Sequence, residues 1–415
     1  MFLSKENCRK LNKMTLKNKI EFSIINLDTW ITQNGFSGFD PYDVKSIHLI
    51  RKITEYGNKN FLFEIFREII FELFLMFPNL SRKLLNVKPQ INPKAIGLLA
   101  KSYIDIYQVF NDEKYLKKAY ECINWLDENY SKDYPGKGWG YPFAWQAKEE
   151  IPANTPNGIV TTAVADAYWS MYKLTNESKY LQVCSEICVF LIDLPKDKID
   201  EAQICFSYTP IFVNHVHNLN LFVAEFLIKV GQEVDNSTWV ETGIKATNYT
   251  ASNQMNDGAF DYNGPPEKPQ NFVDNYHTAF VLRQLYSIWQ LTKDEKYFNI
   301  LEKGYNYYIN NFFENDRIPK FTKTRKYRID IHSSAESINC LCELSPHFPK
   351  GIEIAKNVAT WTIENLQDKK GFFYHGIFKS RFIGVPFKSK IAYIRWGEAW
   401  MLKGLSNLLK TIKYV

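Results

Sequence analysis

Apolar positions recur along this chain at intervals of three and four residues, and the stretches that carry this period come in pairs. Helical runs are expected over 93–110, 159–174, 213–230, 275–291, 333–344 and 393–410, each close to uniformly apolar and dotted with small residues such as Ala163, Ala165 and Ala167 or Ser333, Ser334 and Ala335. A second run follows each of the first five, over 113–130, 178–194, 237–254, 295–313 and 351–367, with Lys and Glu at surface spacing. An amphipathic segment over 60–77 is left to partner the sixth. A recurrent phrase marks three of the joints: Asn111-Asp-Glu-Lys-Tyr115-Leu, Leu174-Thr-Asn-Glu-Ser-Lys-Tyr180-Leu and Leu291-Thr-Lys-Asp-Glu-Lys-Tyr297-Phe. Helices apolar on all sides are buried and helices with a polar stripe face water, so the first members form an inner layer and their partners an outer one.

Six such hairpins close on themselves, which predicts an all-α fold, an (α/α)6 toroid. Residues 1–90 are expected to form an N-terminal helical extension that closes the ring, and 91–415 the toroid itself. Between hairpins run Gly-aromatic loops, at Gly136–Trp145, Gln254–Tyr262 and Gln367–His375, expected as walls of the mouth with short β-hairpins.

Composition adjusts this picture in a few places. The aromatic share of 16% suits a cavity lined by flat faces on which sugar rings rest, and Trp139, Trp145, Tyr262 and Tyr374 are the candidates for stacking. The net charge of +6 is spread along the chain apart from its Lys-rich start and the segment Lys320-Lys323-Arg325-Lys326-Arg328. No aromatic-interleaved basic stripe is present, so the surplus fits an anionic substrate and not a nucleic acid. Seven cysteines without a CxxC pair read as reduced thiols of a cytoplasmic protein. Residues 1–20 lack the apolar core of a signal peptide. The most apolar stretch, 64–77, is short and contains Arg67, Glu68 and Glu72, which makes it a buried or interfacial helix and leaves the chain without a transmembrane segment. The oligomeric state is left open.

Candidate chemistry gathers at helix starts. Five of the seven histidines lie in Asn214-His215-Val-His217-Asn218, Asp274-Asn275-Tyr276-His277 and Asp330-Ile-His332, or beside a Gly-aromatic loop at His375. Imidazole is the side chain suited to proton transfer near neutral pH, and inner helix ends can bring distant residues around one mouth.

Together, Cys205-Phe-Ser-Tyr-Thr-Pro210, His217-Asn218-x-Asn220, Asp274-Asn-Tyr-His277-Thr, Asp330-Ile-His332-Ser-Ser-Ala-Glu336 and Arg395-Trp-Gly-Glu398-Ala-Trp400 resemble a family of α/α-toroid proteins from bacterial surface-polysaccharide gene clusters. Its members are sometimes labelled, misleadingly, as delta-aminolevulinic acid dehydratase or prenyltransferase-like. The likeness spans roughly 92–408. It implies the toroid shared by hydrolases of unsaturated uronides, polysaccharide lyases, sugar epimerases and terpene cyclases, and a fold alone does not choose among these.

Asp274 and His277, three apart, are either a carboxylate–imidazole pair at the mouth or a capping Asp with a buried His. His332 and Glu336 share a helix face, with Asp330 at its entry, as catalytic groups or as an internal hydrogen-bonded set. Arg395 and Glu398 give a cation for a substrate carboxylate and an acid/base carboxyl, or an internal ion pair. His217 and Asn218 fit a sugar-binding mouth better than a zinc site, and Tyr208 can act as an acid. No Gly-rich phosphate loop, GxSxG elbow or DDxxD cluster occurs, so no metal and no cofactor is expected and the cyclase alternative recedes.

The resulting expectation is a carbohydrate-active enzyme working on a glycan or acidic polysaccharide intermediate of surface-polysaccharide biosynthesis. Asp274 and Glu398 are its hydrolase-type carboxylates, with His277, His332 and Tyr208 beside them, and Trp139, Trp145, Tyr262, Tyr374, His217, Asn218, Arg395, Asp330 and Glu336 on the substrate. A uronate lyase or epimerase, and a non-catalytic glycan-binding scaffold, are the alternatives.

Overall fold

The computed structural model describes residues 14–414. Residues 1–13 of the Lys-rich start, Cys8 among them, lie outside the described residues. Helix α1 (Leu16–Asn34), capped by the Thr15 hydroxyl, leads to strand β1 (Ser37–Gly38), a 3-10 turn (Val44–Ser46) and helices α2 (His48–Gly57), α3 (Phe61–Met76) and α4 (Pro78–Leu84). Strand β2 (Gln90–Ile91) pairs antiparallel with β1 and delivers the chain to the ring.

The hairpins then follow: α5 (Pro93–Phe110) with α6 (Glu113–Glu128), α7 (Gly158–Thr175) with α8 (Ser178–Asp193), α9 (His217–Glu233) with α10 (Ser237–Ser252), α11 (Asn275–Thr292) with α12 (Glu295–Asn311), and α13 (Ile331–Leu344) with α14 (Lys350–Leu366). A one-turn π-helix (Ile394–Glu398) opens the last helix, α15 (Ala399–Tyr414). The loops carry the short ribbons β3 (Trp145–Gln146) with β4 (Glu150–Ile151), β5 (Lys196–Lys198) with β6 (Ile204–Phe206), and β7 (Phe313–Glu314) with β8 (Ile318–Pro319). A three-stranded sheet orders β9 (Ile329–Asp330), β10 (Gly376–Lys379) and β11 (Pro386–Ser389), with β10 central. The (α/α)6 toroid expected from the hydrophobic pattern is the observed fold.

The recurrent phrase has a local cause. Asn111, Asn176 and Lys293 each end an inner helix in the left-handed conformation, at φ 53°, 57° and 57°, and reverse the chain. Asp112 and Asp294 then accept hydrogen bonds from Lys114 and Lys296 backbone N–H groups, capping the outer partners. Inner helices pack closely enough to require a small residue: a Cβ on Gly97 of α5 would sit 2.8 Å from the Ala163 carbonyl oxygen of α7.

Closure differs from expectation in one respect. In the inner layer α15 packs on α5. In the outer layer the sixth position belongs to α1, not to the segment over 60–77. Lys19 of α1 pairs with Glu364 of α14 at 2.7 Å, and Asp28 pairs with Lys118 of α6 at 2.5 Å, so α1 bridges the last outer helix to the first. The Gly371 loop docks on α1 as well, where a Cβ at its φ of +106° would meet the Asn26 carbonyl oxygen at 2.2 Å. Helix α3 lies outside the ring with only Glu72 buried. Among the described residues no helix is long and apolar enough to cross a membrane, and the six described cysteines are buried and unbridged.

Candidate active site

All six inner helices direct their N-terminal ends into one cavity of about 860 Å³. Lys94 of α5, Ile159 of α7, Asn218 of α9, His277 of α11, His332 of α13 and Arg395 of the π-turn line it. Four of these starts are capped, by the side chains of Asn92, Asn157, Asp274 and Asp330, so the positive ends of those helices are partly met from within the chain. Aromatic walls come from the loops: Trp145 meets Tyr208 edge-on at 5.8 Å, and Tyr262 meets His277 at 4.8 Å.

His277 is the best-disposed acid/base group. The Asp274 side chain caps α11 by accepting the His277 backbone N–H at 2.9 Å, and its second oxygen takes the ring Nδ1 at 2.8 Å. A carboxylate there holds the proton on Nδ1 and leaves the Nε2 lone pair for the cavity. The imidazole is 24% exposed while Asp274 is wholly buried behind it. The capping and pairing alternatives weighed for Asp274 are thus both realised in one side chain.

His332 lies one helix further round, with Tyr276 in ring contact with both imidazoles at 4.3 Å and 4.9 Å. Its Nδ1 faces the Trp396 carbonyl at 3.1 Å and its ring stacks on that indole at 4.3 Å. Burial, then the nearby Lys94 charge, pushes its pKa well below the usual histidine value. The neutral ring therefore donates Nδ1–H to the carbonyl and keeps Nε2 as an acceptor. Burial raises the phenols of Tyr208, Tyr262 and Tyr276, so these hydroxyls are proton donors at neutral pH. The Asn218 side-chain oxygen is buried and unpartnered at the same wall.

Arg395 and Arg328 divide the cationic role differently from the sequence expectation. Arg395 is held by Asp40 through Nε at 2.5 Å and Nη2 at 2.8 Å, between the rings of Tyr141 and Trp396. Its charge is spent on that pair. Among the described residues, Arg328 is paired with the Asp330 carboxylate alone, at 3.9 Å, and its Nε has no hydrogen-bond partner. Lys94, at the cavity floor over the Trp400 ring, has its pKa pushed well down by burial and then by the Arg395 charge.

Several predicted site residues lie elsewhere. Glu398 is fully buried beneath the 373 loop, with Oε2 accepting the Phe373 N–H at 2.9 Å and Oε1 unpartnered. Helical spacing placed it beside Arg395, but the π-turn aims the two side chains apart. Glu336 is buried against Arg283 at 2.8 Å. Trp139 is a core residue donating its indole N–H to the Leu126 carbonyl at 3.1 Å, so it offers no stacking face. Tyr374 donates to Asp368 at 2.5 Å on the outer rim of the toroid, away from the cavity. His217 is buried against Tyr249 and Thr250, with its pKa pushed down to about 4 by burial. Asp330 caps α13 and accepts the Trp396 indole N–H at 2.9 Å, behind the wall. Trp145, Tyr208, Tyr262, Asn218, His277, His332 and Arg395 do share the cavity.

Sequence reasoning did not single out Tyr42, Tyr141, Tyr276, Lys94, Arg328 or Trp396, which also line it. Tyr276 lay inside the Asp274–His277 motif and Arg328 at the end of the basic segment, so both had a usable signal. His215 sits between Asp197 at 3.0 Å and Glu267 at 3.3 Å. Among the described residues no group of three or more His, Cys, Asp or Glu is gathered to hold a metal.

The sequence matches no protein-family profile and no curated protein. Solved structures do match. A cellobiose 2-epimerase from Bacillus thermoamylovorans aligns over 78% of this chain and 88% of its own, with TM-score 0.61 and 12% identity. A family 76 glycoside hydrolase, an α-mannanase of Bacteroides thetaiotaomicron, aligns over 78% and 87%, with TM-score 0.60 and 11% identity. An unsaturated glucuronyl hydrolase specific for heparin aligns over 80% and 90%, with TM-score 0.58 and 12% identity. At these identities the likeness establishes the α/α toroid as the fold.

Proposed function

We propose that this protein is a carbohydrate-active enzyme that moves a proton at carbon in an acidic sugar, by elimination or epimerisation, on a glycan intermediate of surface-polysaccharide assembly. The observation that carries this is the Asp274–His277 pair on the wall of a cavity that Arg328, with no carboxylate closer than 3.9 Å, also lines. The toroid's similarity to an epimerase and to two glycoside hydrolases supports the substrate class.

In this scheme Trp145 and Tyr262 stack the sugar, and Arg328 holds its carboxylate and the negative charge that develops when the adjacent C–H is broken. His277 Nε2 takes that proton, and the electron pair passes toward the carboxylate. Elimination follows if the pair then forms a C=C bond and the neighbouring C–O bond breaks, with the Tyr208 hydroxyl protonating the departing oxygen. Epimerisation follows if the carbon is instead reprotonated on its other face by the Tyr208 hydroxyl, which regains a proton from solvent as His277 releases its own. His332, neutral, accepts a hydrogen bond from a sugar hydroxyl and sets the ring's orientation.

A hydrolase mechanism has less support. It requires two carboxyl groups flanking the scissile bond, and among the described residues the cavity wall carries one carboxylate, Glu267, already engaged by His215. The test is incubation with uronate-containing oligosaccharides in deuterated water. Deuterium uptake at the carbon next to the carboxylate, or the absorbance of a new double bond, supports the proposal; new reducing ends with neither would overturn it.

A further inference from the structure

Helix α3 is amphipathic in the reverse sense for a helix in water. Its one buried residue is Glu72, whose carboxylate accepts hydrogen bonds from the Ser380 hydroxyl and the Arg381 backbone N–H. Glu68 also turns inward, pairing with Arg381. The outward face carries Phe61, Leu62, Phe66 and Leu73, exposed at 72%, 74%, 51% and 47%. The tip of the β10–β11 hairpin, tied to α3 through those carboxylates, adds Phe382, Ile383 and Val385 at 56%, 66% and 56%. Two separate elements thus project large apolar side chains on one side of the molecule. Soluble monomers rarely leave such a contiguous face uncovered.

The charge around this face is one-sided. Leaving out Arg82 and Arg51, which are paired with Asp43 and Glu150, residues 44–88 and 379–390 contain ten Lys and Arg against four Glu, and two of those carboxylates face inward. Apolar tips within a cationic rim complement a surface that is hydrocarbon beneath and anionic above. Between α3 and the hairpin a groove of about 750 Å³ runs inward past Lys45, Arg325 and Lys379 to Arg328 and Trp396, which also wall the main cavity. The groove therefore leads from the apolar face to the candidate active site.

We propose that α3 and the β10–β11 tip dock this protein on an anionic lipid bilayer, with the groove receiving the negatively charged headgroup of a membrane-anchored amphiphile. The docking does not depend on which reaction the cavity performs. Charge complementarity chooses this occupant over a second copy of the chain, whose equally cationic rim would repel it.

The test is flotation of the full chain with phosphatidylcholine vesicles, with and without phosphatidylglycerol. Binding is expected to the anionic vesicles, to weaken with added salt, and to fall at least about tenfold in Phe382→Ser/Ile383→Ser, whose side chains are exposed and whose loss leaves the melting temperature unchanged. Lys379→Gln should weaken binding to the anionic vesicles. No binding, equal binding to neutral vesicles, or undiminished binding by the tip variant would overturn the proposal. So would a concentration-dependent dimer that the tip variant converts to monomer, which would mark the face as a self-interface.

Discussion

Replacing Glu398 by glutamine separates a structural carboxyl from a catalytic one. Glu398 is fully buried, keeps one hydrogen bond from the Phe373 N–H, and among the described residues has no cation paired with it. Burial raises its pKa well above the usual carboxyl value. Between its unfolded value and its raised folded value, folding therefore takes up a proton that the unfolded chain has released. For a carboxyl whose folded value is raised, stability is greatest below the unfolded value of ~4.3 and falls as pH climbs toward the folded one, by about 1.4 kcal/mol per pH unit. Glutamine keeps the shape of the protonated acid and an oxygen for Phe373, and has no proton to exchange.

Glu398→Gln should therefore match the parent most nearly near pH 4 and become progressively more stable than it toward pH 8, by about 1.4 kcal/mol for each unit crossed between ~4.3 and the folded pKa. Urea denaturation of both chains across that range measures the difference, and the contributions of other buried groups, such as His217 with its pKa near 4, cancel between them. Turnover should stay within about threefold of the parent, against the loss of at least ~10²-fold that removal of a general acid or base produces. A stability difference that does not change with pH, or a turnover loss of that larger size, would refute the reasoning.

His277→Gln should lower turnover by ~10²- to 10⁴-fold with a nearly unchanged melting temperature, since the imidazole is partly exposed and the Asp274 cap remains. Arg395→Gln leaves the Asp40 carboxylate buried without its partner, and should cost about 3–5 kcal/mol in denaturant unfolding; the second change Asp40→Asn should recover part of that loss. Trp139→Ala should destabilise by about 3–5 kcal/mol. Trp145→Ala should instead weaken oligosaccharide affinity at an unchanged melting temperature, as read by calorimetric titration.

The toroid was legible because its layers repeat one instruction: an apolar run, a left-handed reversal at Asn111, Asn176 or Lys293, and a run with a polar stripe. Capping chemistry was legible at Asp274, which begins α11, but not at Asp330, which caps α13 from the position the sequence marked only as its entry. Closure by α1 was not, because its partners Glu364 and Lys118 lie in outer helices far along the chain and any amphipathic segment fits that pattern equally well. Helix α3 misled for a related reason. Its period marks an apolar face, but period is silent on whether the protein or its surroundings cover that face.

The same limit decides which arginine serves the cavity. Arg395 and Arg328 both lie in aromatic settings next to a motif, and spacing from Glu398 favours Arg395. What separates them is Asp40, 355 residues from Arg395 in sequence and delivered by the segment that joins α1 to α2. Two short hydrogen bonds to that carboxylate convert Arg395 from a ligand for substrate into a clamp that fixes the N-terminal segment over the ring, while Arg328, 3.9 Å from its nearest carboxylate, keeps its charge for the cavity. A cation's availability depends on which distant carboxylate the fold brings to it, so which arginine is left without a close partner at the cavity becomes readable only once the ring and its N-terminal closure are in place.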